Sequence, residues 1–394
     1  MLADLSVNYV DLELRNPVVI SPAGVTGTVR RMKKAEEAGC GAIVVKTLFE
    51  DEVTRRSPTP RFRVLGDRAG ARDSFVLYSY EQASPFSPER YASEITRAKR
   101  ELGIPVMASI GCMTDEGWRS YARLVEDAGA DAVELNVSCP HAKVILEEGD
   151  VSRHMCDATS LVKEEISIPI VPKMTPQASN PLSMALELQG AGADGVVMFN
   201  RFTGLDIDIE TEAPVMHGAF AGHGGPWSLH YVLRWLIATS PRVGIPIASS
   251  GGIWNGEDAA KAILAGATVT EICSVVVVQG YSAIERIIRQ LGEFMDHKGY
   301  SGLDEFRGNA CDRLLATEEV DRRQTVRAVL DPDLCSSCGL CERICIYDAI
   351  SSSGRTFRVK SSCQGCGLCV ELCPEGAISL VPLKGKGRRK GQGL

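Results

Sequence analysis

One unit recurs along most of the chain, from Pro17 to Gly280. It is a short β-branched apolar run, followed by a polar or glycine-containing turn and then by a longer stretch with helical apolar spacing. Eight runs have the strand pattern: Pro17–Ala23, Ala42–Leu48, Pro105–Cys112, Ala132–Cys139, Pro169–Thr175, Gly195–Thr203, Pro246–Gly252 and Thr270–Val278. Eight successive βα units predict an α/β fold of the (β/α)8 TIM-barrel type. A doubly wound parallel sheet is the alternative, but it usually needs fewer strands.

Glycines mark the ends of several predicted helices. An Ala-Gly pair precedes a strand in four places: Ala38-Gly39, Ala128-Gly129, Ala191-Gly192 and Ala265-Gly266. Because glycine can adopt a left-handed backbone, we expect these glycines to end their helices. Two connections, Arg55–Tyr91 and Leu205–Trp235, are longer than typical βα loops. Long loops on the carboxyl side of barrel strands usually carry function.

The cysteines are concentrated near the end of the chain. Of fourteen, eight lie between Cys335 and Cys373, in two successive C-x2-C-x2-C-x3-C runs. This is the spacing of two-cluster bacterial ferredoxins, in which the fourth cysteine of each run ligates the other cluster. One [4Fe-4S] cluster would therefore take Cys335, Cys338, Cys341 and Cys373, and the other would take Cys363, Cys366, Cys369 and Cys345.

Zinc is the alternative metal for paired CxxC motifs. Zinc ribbons do not need a third and a fourth cysteine at this spacing, so iron–sulfur clusters are favoured. The first run departs from the usual motif at one position, because Ile346 follows Cys345 where proline is usual. That change removes no ligand.

These features divide the chain into four segments. Residues 1–310 are predicted to form the barrel, and residues 333–381 a small ferredoxin-like domain. Residues 311–332, which are charged and lack strand signals, are interpreted as a connector. Residues 382–394 are basic and glycine-rich, and a solvated flexible tail is favoured over a docking patch.

The charge balance limits the classes of partner. With 43 Lys and Arg against 50 Asp and Glu, the formal net charge is −7, which argues against nucleic-acid binding by bulk electrostatics. The first residues lack the basic and apolar regions of a signal peptide, and no run of 18 apolar residues occurs. We therefore expect a cytoplasmic protein with no membrane partner. Its partner is expected to be a small molecule or another protein.

A phosphate site is predicted at the last two barrel strands. Ser250-Gly251-Gly252 ends the seventh strand, and Cys273-Ser274 lies in the eighth. The loops after these strands are where barrels bind phosphate, through backbone N–H groups that small residues let approach closely. No G-x-G-x-x-G motif follows a strand, so the usual nicotinamide site is not expected.

Several motifs resemble one family. In chain order they are Val45-Lys46-Thr47, Ala108-Ser109-Ile110-x-Cys112, Glu134-Leu135-Asn136-Val137-Ser138-Cys139-Pro140-His141, Pro172-Lys173-Met174-Thr175-Pro176, Ala193-Asp194-Gly195-Val196, Gly251-Gly252 and Ile272-Cys273-Ser274. Together they resemble the FMN-dependent dihydroorotate and dihydropyrimidine dehydrogenases. With the cysteine runs added, the arrangement is most similar to the FMN/iron–sulfur subunits of bacterial NAD-dependent dihydropyrimidine dehydrogenases.

The resemblance implies an oxidoreductase that acts on a CH–CH or C=C bond of a pyrimidine-like substrate. It implies that FMN is bound by Ala23, Gly24, Lys46, Thr47, Asn136, Lys173, Asn200, Gly251, Gly252, Cys273 and Ser274. The two lysine ammonium groups would stabilise negative charge on the reduced ring. Asn136 and Asn200 would also hydrogen-bond a substrate imide or carboxamide. Cys139, whose thiol stays mostly protonated at neutral pH, would donate a proton to carbon.

The same resemblance implies a relay of electrons between an external donor, the two clusters and FMN. Without a nicotinamide motif in the chain, the donor is expected to be a separate FAD/NAD(P)-binding reductase subunit or a ferredoxin. A homo- or hetero-oligomer is expected.

The substrate side departs from the family. The stretch Asp73–Tyr78 lacks the usual asparagine, Ala142–Met155 replaces a glycine-rich loop, and Arg201 stands where a small hydroxylated residue is usual. Because arginine pairs bidentately with carboxylates, Arg201 could instead bind an orotate-like or other acidic enoate substrate. A third hypothesis is a non-catalytic electron-transfer subunit.

Overall fold

The structure is a computed structural model that describes residues 3–50, 61–65, 75–79, 85–137, 150–215, 221–353 and 356–383. The chain divides between Leu314 and Leu315 into two compact units. Within the described ranges, no helix combines the length and the apolar character that crossing a membrane requires.

Strands and helices alternate through the first unit. The strands are β1 (Val7–Tyr9), β2 (Leu12–Leu14), β3 (Val18–Ile20), β4 (Ala42–Val44), β5 (Leu48–Phe49), β6 (Phe62–Leu65), β7 (Val76–Ser79), β8 (Val106–Gly111), β9 (Ala132–Leu135), β10 (Ile170–Pro172), β11 (Val196–Met198), β12 (Phe202–Gly204), β13 (Ile207–Asp208), β14 (Ala213–Pro214), β15 (Ala221–Gly224), β16 (Ile247–Ser250) and β17 (Val269–Ile272). The helices are α1 (Val29–Glu37), α2 (Pro88–Glu101), α3 (Asp115–Asp127), α4 (Val151–Lys163), α5 (Pro181–Gly190), α6 (Leu229–Thr239), α7 (Gly256–Leu264), α8 (Ser274–Gln279) and α9 (Ser282–Lys298). Short 3-10 helices occur at Gly24–Thr26, Pro226–Ser228, Leu303–Glu305 and Cys311–Arg313.

The described strands of the first unit form a parallel barrel. Eight of them pair in the order β10-β9-β8-β4-β3-β17-β16-β11. A bridge between Lys173 and Val197 joins the two end strands, and neighbouring helices pack against one another outside the strands. The predicted (β/α)8 fold is confirmed, and the doubly wound alternative is wrong.

Local signals set the helix boundaries. A polar N-cap side chain accepts a hydrogen bond from the backbone N–H three residues later at Thr28, Ser87, Thr114, Asp150, Asn180 and Asn255. The glycines predicted to end helices have φ between +89° and +102°: Gly39, Gly129, Gly192 and Gly266. A side chain would strain the backbone at these angles, so this prediction is confirmed.

Two segments differ from the sequence analysis. The segment Thr270–Val278 is predicted as a strand, but β17 ends at Ile272 and Ser274–Gln279 forms helix α8. Burial of Val275 and Val276 in the core outweighs the strand propensity of this β-branched run. The interpretation of residues 311–332 as a connector without strands is wrong at Val326–Leu330. These residues form a strand whose Ala328 packs in the core of the second unit.

The interior of the barrel changes from apolar to polar along its axis. The β1–β2 hairpin closes the amino-terminal end, where Tyr9 and Leu14 pack among inward-facing residues such as Val19 and Val171. Two residues further along their strands, the next inward positions are polar: Ser21, Ser109, Glu134, Lys173 and Glu271. The polar layer therefore lies on the carboxyl side, where barrels carry their chemistry.

A second sheet is built from β12, which directly precedes the connection Leu205–Trp235, and from three strands within the two long connections. Strands β12, β15, β7 and β6 pair in that order, all antiparallel. We call these four strands the mouth sheet, because residues of β7, β12 and β15 line the cavity described below.

The second unit is small and contains two antiparallel strand pairs. Its strands are β18 (Val326–Leu330), β19 (Ile350–Ser353), β20 (Thr356–Val359) and β21 (Ile378–Pro382), and its helices are α10 (Leu340–Arg343) and α11 (Leu368–Glu371). Strand β18 pairs with β21, and β19 pairs with β20, both antiparallel. Residues 384–394, which include most of the predicted tail, lie outside the described residues.

Candidate active site and iron–sulfur centre

A cavity lies at the carboxyl ends of the barrel strands. Its volume is about 1250 Å³ with the solvent at its mouth included, and ligand sites typically occupy about 300–1,000 Å³. The residues predicted to bind cofactor or substrate that line it are Ala23, Lys46, Thr47, Asn136, Lys173, Asn200, Arg201, Gly251, Gly252, Cys273 and Ser274. Gly24 does not line it; it begins the 3-10 helix beside Ala23, and its carbonyl accepts a hydrogen bond from Arg31.

Four polar side chains, each near or just after the carboxyl end of a different barrel strand, form a connected row. Asn200 Nδ2 donates to Asn136 Oδ1 at 2.9 Å, and Asn136 Nδ2 donates to Thr47 Oγ1 at 3.1 Å. Thr47 Oγ1 lies 2.9 Å from Ser109 Oγ. Because each amide has one oxygen acceptor and one nitrogen donor, this row fixes the orientation of both asparagines. The sequence analysis predicts both asparagines for substrate binding, and the structure brings them into direct contact.

Lys173 lies in a buried cluster of charges. Its Nζ donates to Glu271 Oε2 at 2.6 Å, to Glu134 Oε2 at 3.2 Å and to Ser21 Oγ at 3.0 Å. Burial lowers the pKa of Lys173, but the two carboxylates raise it further, and the net shift is upward. Burial first and the Glu271 carboxylate second raise the pKa of Glu134 to about 8.

Sequence reasoning missed both glutamates of this cluster. A signal was available, because Glu134 lies two residues before Asn136 and Glu271 two residues before Cys273. Side chains two residues apart on a strand lie on the same face. If Asn136 and Cys273 face the site, Glu134 and Glu271 are therefore expected to face the barrel interior too.

The predicted phosphate loop has a backbone that excludes side chains. Gly251 and Gly252 have φ of +117° and +77°. A Cβ on Gly252 would lie 2.7 Å from the Cα of Leu229, the first residue of α6. The glycines thus allow the end of β16 to approach the start of α6, and both line the cavity, where backbone N–H groups would bind a phosphate ligand.

The mouth sheet adds cavity residues that the sequence analysis left unassigned. Leu77, Ser79 and His223 line the cavity, and the His223 ring centre lies 4.2 Å from that of Tyr78. Burial lowers the pKa of His223, which favours the neutral imidazole. The Arg201 side chain crosses the β15 backbone, because a Cβ on Gly222 would lie 2.8 Å from Arg201 Cζ.

Other predicted residues fall outside the described ranges. The predicted proton donor Cys139 is one of them, and Asp73, Ser74 and residues 142–149 are others. The end of the segment Ala142–Met155 is described: Asp150 caps helix α4, and Met155 is buried within it.

The second unit brings the first predicted ligand set together. A cavity in it is lined by Cys335, Cys338, Cys341 and Cys373, the four cysteines that the spacing assigns to one cluster. Cys335 Sγ accepts a hydrogen bond from the Ser337 N–H at 3.4 Å, and Cys373 Sγ accepts one from the Ala377 N–H at 3.3 Å. Backbone donors of this kind stabilise cluster thiolates.

The other set has the same surroundings. Cys345 Sγ accepts from the Ala349 N–H at 3.3 Å, and Cys363 Sγ accepts from the Ala328 N–H at 3.5 Å. Burial raises the pKa of the Cys369 thiol, and the neighbouring Cys366 and Cys363 raise it too. Crowded thiolates of this kind need a cationic centre, and the donor set fits an iron–sulfur cluster.

Within the described residues, which include all eight cysteines, no group of three or more His, Cys, Asp or Glu side chains is placed to hold a single metal ion. The preference for iron–sulfur clusters over zinc therefore still depends on the cysteine spacing.

Two families match the chain, one in each unit. Residues 4–295 match the dihydroorotate dehydrogenase family, and residues 328–351 and 358–379 match the 4Fe-4S binding domain. The chain belongs to the dihydroorotate dehydrogenase family. It is therefore a flavin-dependent dehydrogenase of CH–CH groups that carries a 4Fe-4S domain for electron transfer, as the resemblance predicts.

Relatives in the dihydroorotate dehydrogenase family fall into two groups. The NAD-dependent dihydropyrimidine dehydrogenase subunit PreA of Escherichia coli (strain K12) is 30% identical over 365 residues, which cover 88% of this chain and 86% of PreA. The catalytic subunit of dihydroorotate dehydrogenase B (NAD(+)) from Pyrococcus abyssi is 29% identical over 310 residues, 78% of this chain and 99% of its own length. Its counterpart in Methanothermobacter thermautotrophicus is 30% identical over 315 residues, with coverage of 78% and 99%. The match to PreA thus covers a larger share of this chain than the matches to the dihydroorotate dehydrogenases.

Proposed function

We propose that the chain is the FMN- and iron–sulfur-containing subunit of an enzyme of the dihydropyrimidine dehydrogenase type. It would interconvert a CH–CH and a C=C bond in a pyrimidine-like ring. The supporting observation is the meeting of the predicted cofactor and substrate residues at one cavity, in a chain whose similarity to PreA covers 88% of its length.

The cavity residues fit FMN, which when bound supplies the two-electron redox chemistry. In this proposal Gly251, Gly252, Cys273 and Ser274 hold the phosphate through backbone N–H groups and a hydroxyl. Lys46 and Lys173 supply positive charge at the polar edge of the ring. Ala23 and Thr47 complete the wall, and Gly24 follows Ala23 in the adjoining 3-10 helix.

The substrate would lie against the paired amides. Asn136 and Asn200, already oriented by their mutual hydrogen bond, offer the donors and acceptors that an imide needs. Cys139 follows Asn136 by three residues in the sequence. Its protonated thiol would donate a proton to the substrate carbon, and its thiolate would take that proton back in the reverse direction.

Electrons would reach the site through two [4Fe-4S] clusters. Cys335, Cys338, Cys341 and Cys373 would hold one, and Cys363, Cys366, Cys369 and Cys345 the other. The relative PreA is named as a subunit of an NAD-dependent enzyme, and this chain has no G-x-G-x-x-G motif after a strand. A separate FAD/NAD(P)-binding reductase subunit, or a ferredoxin, would therefore be the external donor.

Anaerobic purification tests the cofactors, and turnover tests the substrate. We expect a coloured protein with FMN, iron and sulfide, which oxidises reduced methyl viologen when uracil or thymine is added. Cys139→Ala should lose most turnover and keep its FMN, whereas the matched Cys156→Ala, on helix α4, should keep both. A colourless protein would contradict the proposal, and full turnover in Cys139→Ala would remove Cys139 as the proton donor. A chain that holds FMN and clusters but turns over neither pyrimidine would favour a non-catalytic relay.

A second candidate substrate is an acidic enoate, such as an orotate-like compound. The observation that favours it is Arg201 at the cavity wall, since a guanidinium pairs well with a carboxylate. We expect Arg201→Ala to raise the KM for an acidic substrate at least tenfold and to leave uracil turnover unchanged. An Arg201→Ala enzyme with unaltered KM for every acidic substrate would remove this candidate.

A further inference from the structure

The barrel interior holds more negative than positive charge at one point. Glu134 on β9 and Glu271 on β17 both bond to the same Lys173 Nζ, and their side chains are 0% and 2% exposed. The Lys173 side chain is 5% exposed. With every group ionised, this buried cluster would carry two negative charges against one positive charge.

Lys173 is the one cation among the groups that shift the pKa of Glu134 most strongly, and Lys46, the other buried lysine among the described residues, lines the same cavity. The remaining neighbours within the described ranges are neutral. Ser21 Oγ donates to Glu271 Oε2 at 2.5 Å but is neutral. Tyr9, on the hairpin that closes the barrel, faces both carboxyls, and its buried hydroxyl has no hydrogen-bond partner among the described residues. Tyr91 on α2 also faces Glu134, and its hydroxyl bonds to the backbone of Ser109. Both tyrosines have raised pKa values because they are buried, so they remain neutral.

An unbalanced buried charge costs several kcal/mol, and proteins usually avoid it by binding a proton. We propose that Glu134 and Glu271 share one proton in the folded protein, and that this proton sets the reduction potential of the flavin in the cavity. Glu271, Ser21 and Lys173 line that cavity, and Glu134 lies behind them.

The electrostatics of the pair support the proposal. Burial raises the pKa of Glu134 to about 8, and both the charge of Glu271 and a hydrogen bond between the two carboxyls act in the same direction. The cluster is then neutral near pH 7 and carries one negative charge near pH 9. Reduction adds negative charge to a flavin, so a negative cluster beside it makes reduction harder.

Removing either carboxyl should abolish the shared proton. In Glu271→Gln, Glu134 faces Lys173 without a like-charged neighbour, so the remaining pair stays neutral at about pH 7 and at about pH 9. Glu134→Gln likewise leaves a single carboxyl beside Lys173. Tyr9→Phe is the matched control, because it removes a buried hydroxyl near the cluster and keeps both carboxyls.

Infrared difference spectra of the full chain test the proton directly. Because the effect on a flavin presupposes the proposed function, this measurement is made without substrate, on flavin-loaded and flavin-free protein alike. We expect a carbonyl band of a buried carboxylic acid near pH 7 that disappears above about pH 8, in the unchanged chain and in Tyr9→Phe. Neither glutamine variant should show it. Absence of the band from the unchanged chain would overturn the proposal.

Anaerobic redox titration then tests the coupling, with the flavin followed by absorbance and the clusters by electron paramagnetic resonance. The glutamine variants should match the unchanged chain near pH 7 and have a more positive flavin potential near pH 9. If the unchanged chain and the glutamine variants have equal flavin potentials at both pH values, the coupling is overturned. The infrared band would then still establish the shared proton. If one glutamine variant does not fold, the other gives the same test, and a chain that binds no flavin would contradict the proposed function instead.

Discussion

At the scale of single residues, the inward-facing residues of one barrel strand differ in role: one packs in the apolar core, and the next, two residues later, is a polar residue of the site. Val171 packs in the apolar layer of the barrel, and Lys173, two residues later, lines the cavity. Ala132 packs in the same layer, and Glu134, two residues later, is buried and bonded to Lys173. The alternation of side chains in a strand produces this change without any change of backbone. Buried polar groups at such positions must bond to each other, and the row from Ser109 to Asn200 does so.

Asn136 is the central member of that row. In Asn136→Ala, Thr47 Oγ1 and Asn200 Nδ2 each lose a partner in a buried setting. We expect the free energy of unfolding to fall by about 1–3 kcal/mol and substrate turnover to be lost. Urea denaturation measures the first effect. Asn309→Ala, which removes an exposed amide bonded to the Glu305 carbonyl, should change unfolding by less than about 0.5 kcal/mol; an equal loss in both variants would contradict this reasoning.

Gly252 combines a positive φ with a close backbone contact. Gly280 has nearly the same φ, +80° against +77°, but no atom lies within 4 Å of its Cβ position. Alanine at either position should cost about 1–2 kcal/mol of backbone strain. Gly252→Ala should additionally displace α6 and weaken FMN binding at least tenfold, which fluorescence titration of FMN would measure. Equal FMN affinity in the two variants would exclude a special role for the Gly252 contact.

At the scale of elements, the sequence predicts the barrel strands better than their ends. All eight predicted runs contain a barrel strand, because each combines β-branched residues with a glycine or polar residue at its boundary. The predicted run Thr270–Val278 extends beyond the strand because valines favour strands locally. In the structure Val275 and Val276 lie on a helix and are buried in the core. Local propensity cannot report that packing.

The mouth sheet shows a second limit of prediction. Strand β7 pairs with β15 through partners such as Tyr78 and His223, which are far apart in the chain. Both strands lie in connections that the sequence marks only as unusually long. Pairing between such distant segments depends on the barrel that holds their ends together, so no local pattern specifies it. No local sequence pattern therefore predicts that His223 lines the cavity, whereas the positions of Asn136 and Lys173 at strand ends do indicate it for these two residues.

The close packing of two mouth-sheet strands offers a test of this element. A Cβ on Gly204 would lie 2.7 Å from His223 Nε2, so Gly204→Ala should push the imidazole out of its position. We expect the KM of the substrate to rise severalfold while FMN content stays constant, because the barrel strands are untouched. Steady-state kinetics with flavin analysis would check this. Gly190→Ala, at the end of α5 with nothing within 4 Å of its Cβ position, should leave KM unchanged; a constant KM in Gly204→Ala would show that the imidazole does not contact substrate.

At the scale of the whole molecule, the two units were predictable to different degrees. The cysteine spacing alone indicated the second unit and its ligand sets, because a cubane demands thiolates at fixed intervals. The spacing did not indicate β18, since the strand that completes the unit lies before the first cysteine. In the first unit, the strand ends indicated lysines and asparagines, but the glutamates that face Lys173 required knowledge of which side chains point inward.

The exchange of the fourth cysteine between the two runs can be tested by double substitution. Cys373→Ser should lower the iron content from about eight to about four atoms per chain, because one cluster is lost. Adding Cys335→Ser should lower it no further, since both cysteines would serve the same cluster, whereas adding Cys363→Ser should remove the remaining iron. Iron and sulfide analysis measures each step.

Cys311→Ser is the control for that series, because Cys311 lies outside both runs and its sulfur contacts Ser240. It should keep all of its iron. Complete loss of iron in the double variant Cys373→Ser with Cys335→Ser would show instead that each run holds its own cluster.

The two halves of the second unit repeat each other closely. Cys345 and Cys373 each accept an N–H from an alanine four residues later, and Gly339 and Gly367 precede equivalent short helices. Hydrogen bonds to sulfur and solvent exposure set the energy of an added electron on a cluster. Two clusters in such similar surroundings would have similar reduction potentials. The direction of electron transfer between them would then depend on which reaction supplies electrons and which removes them.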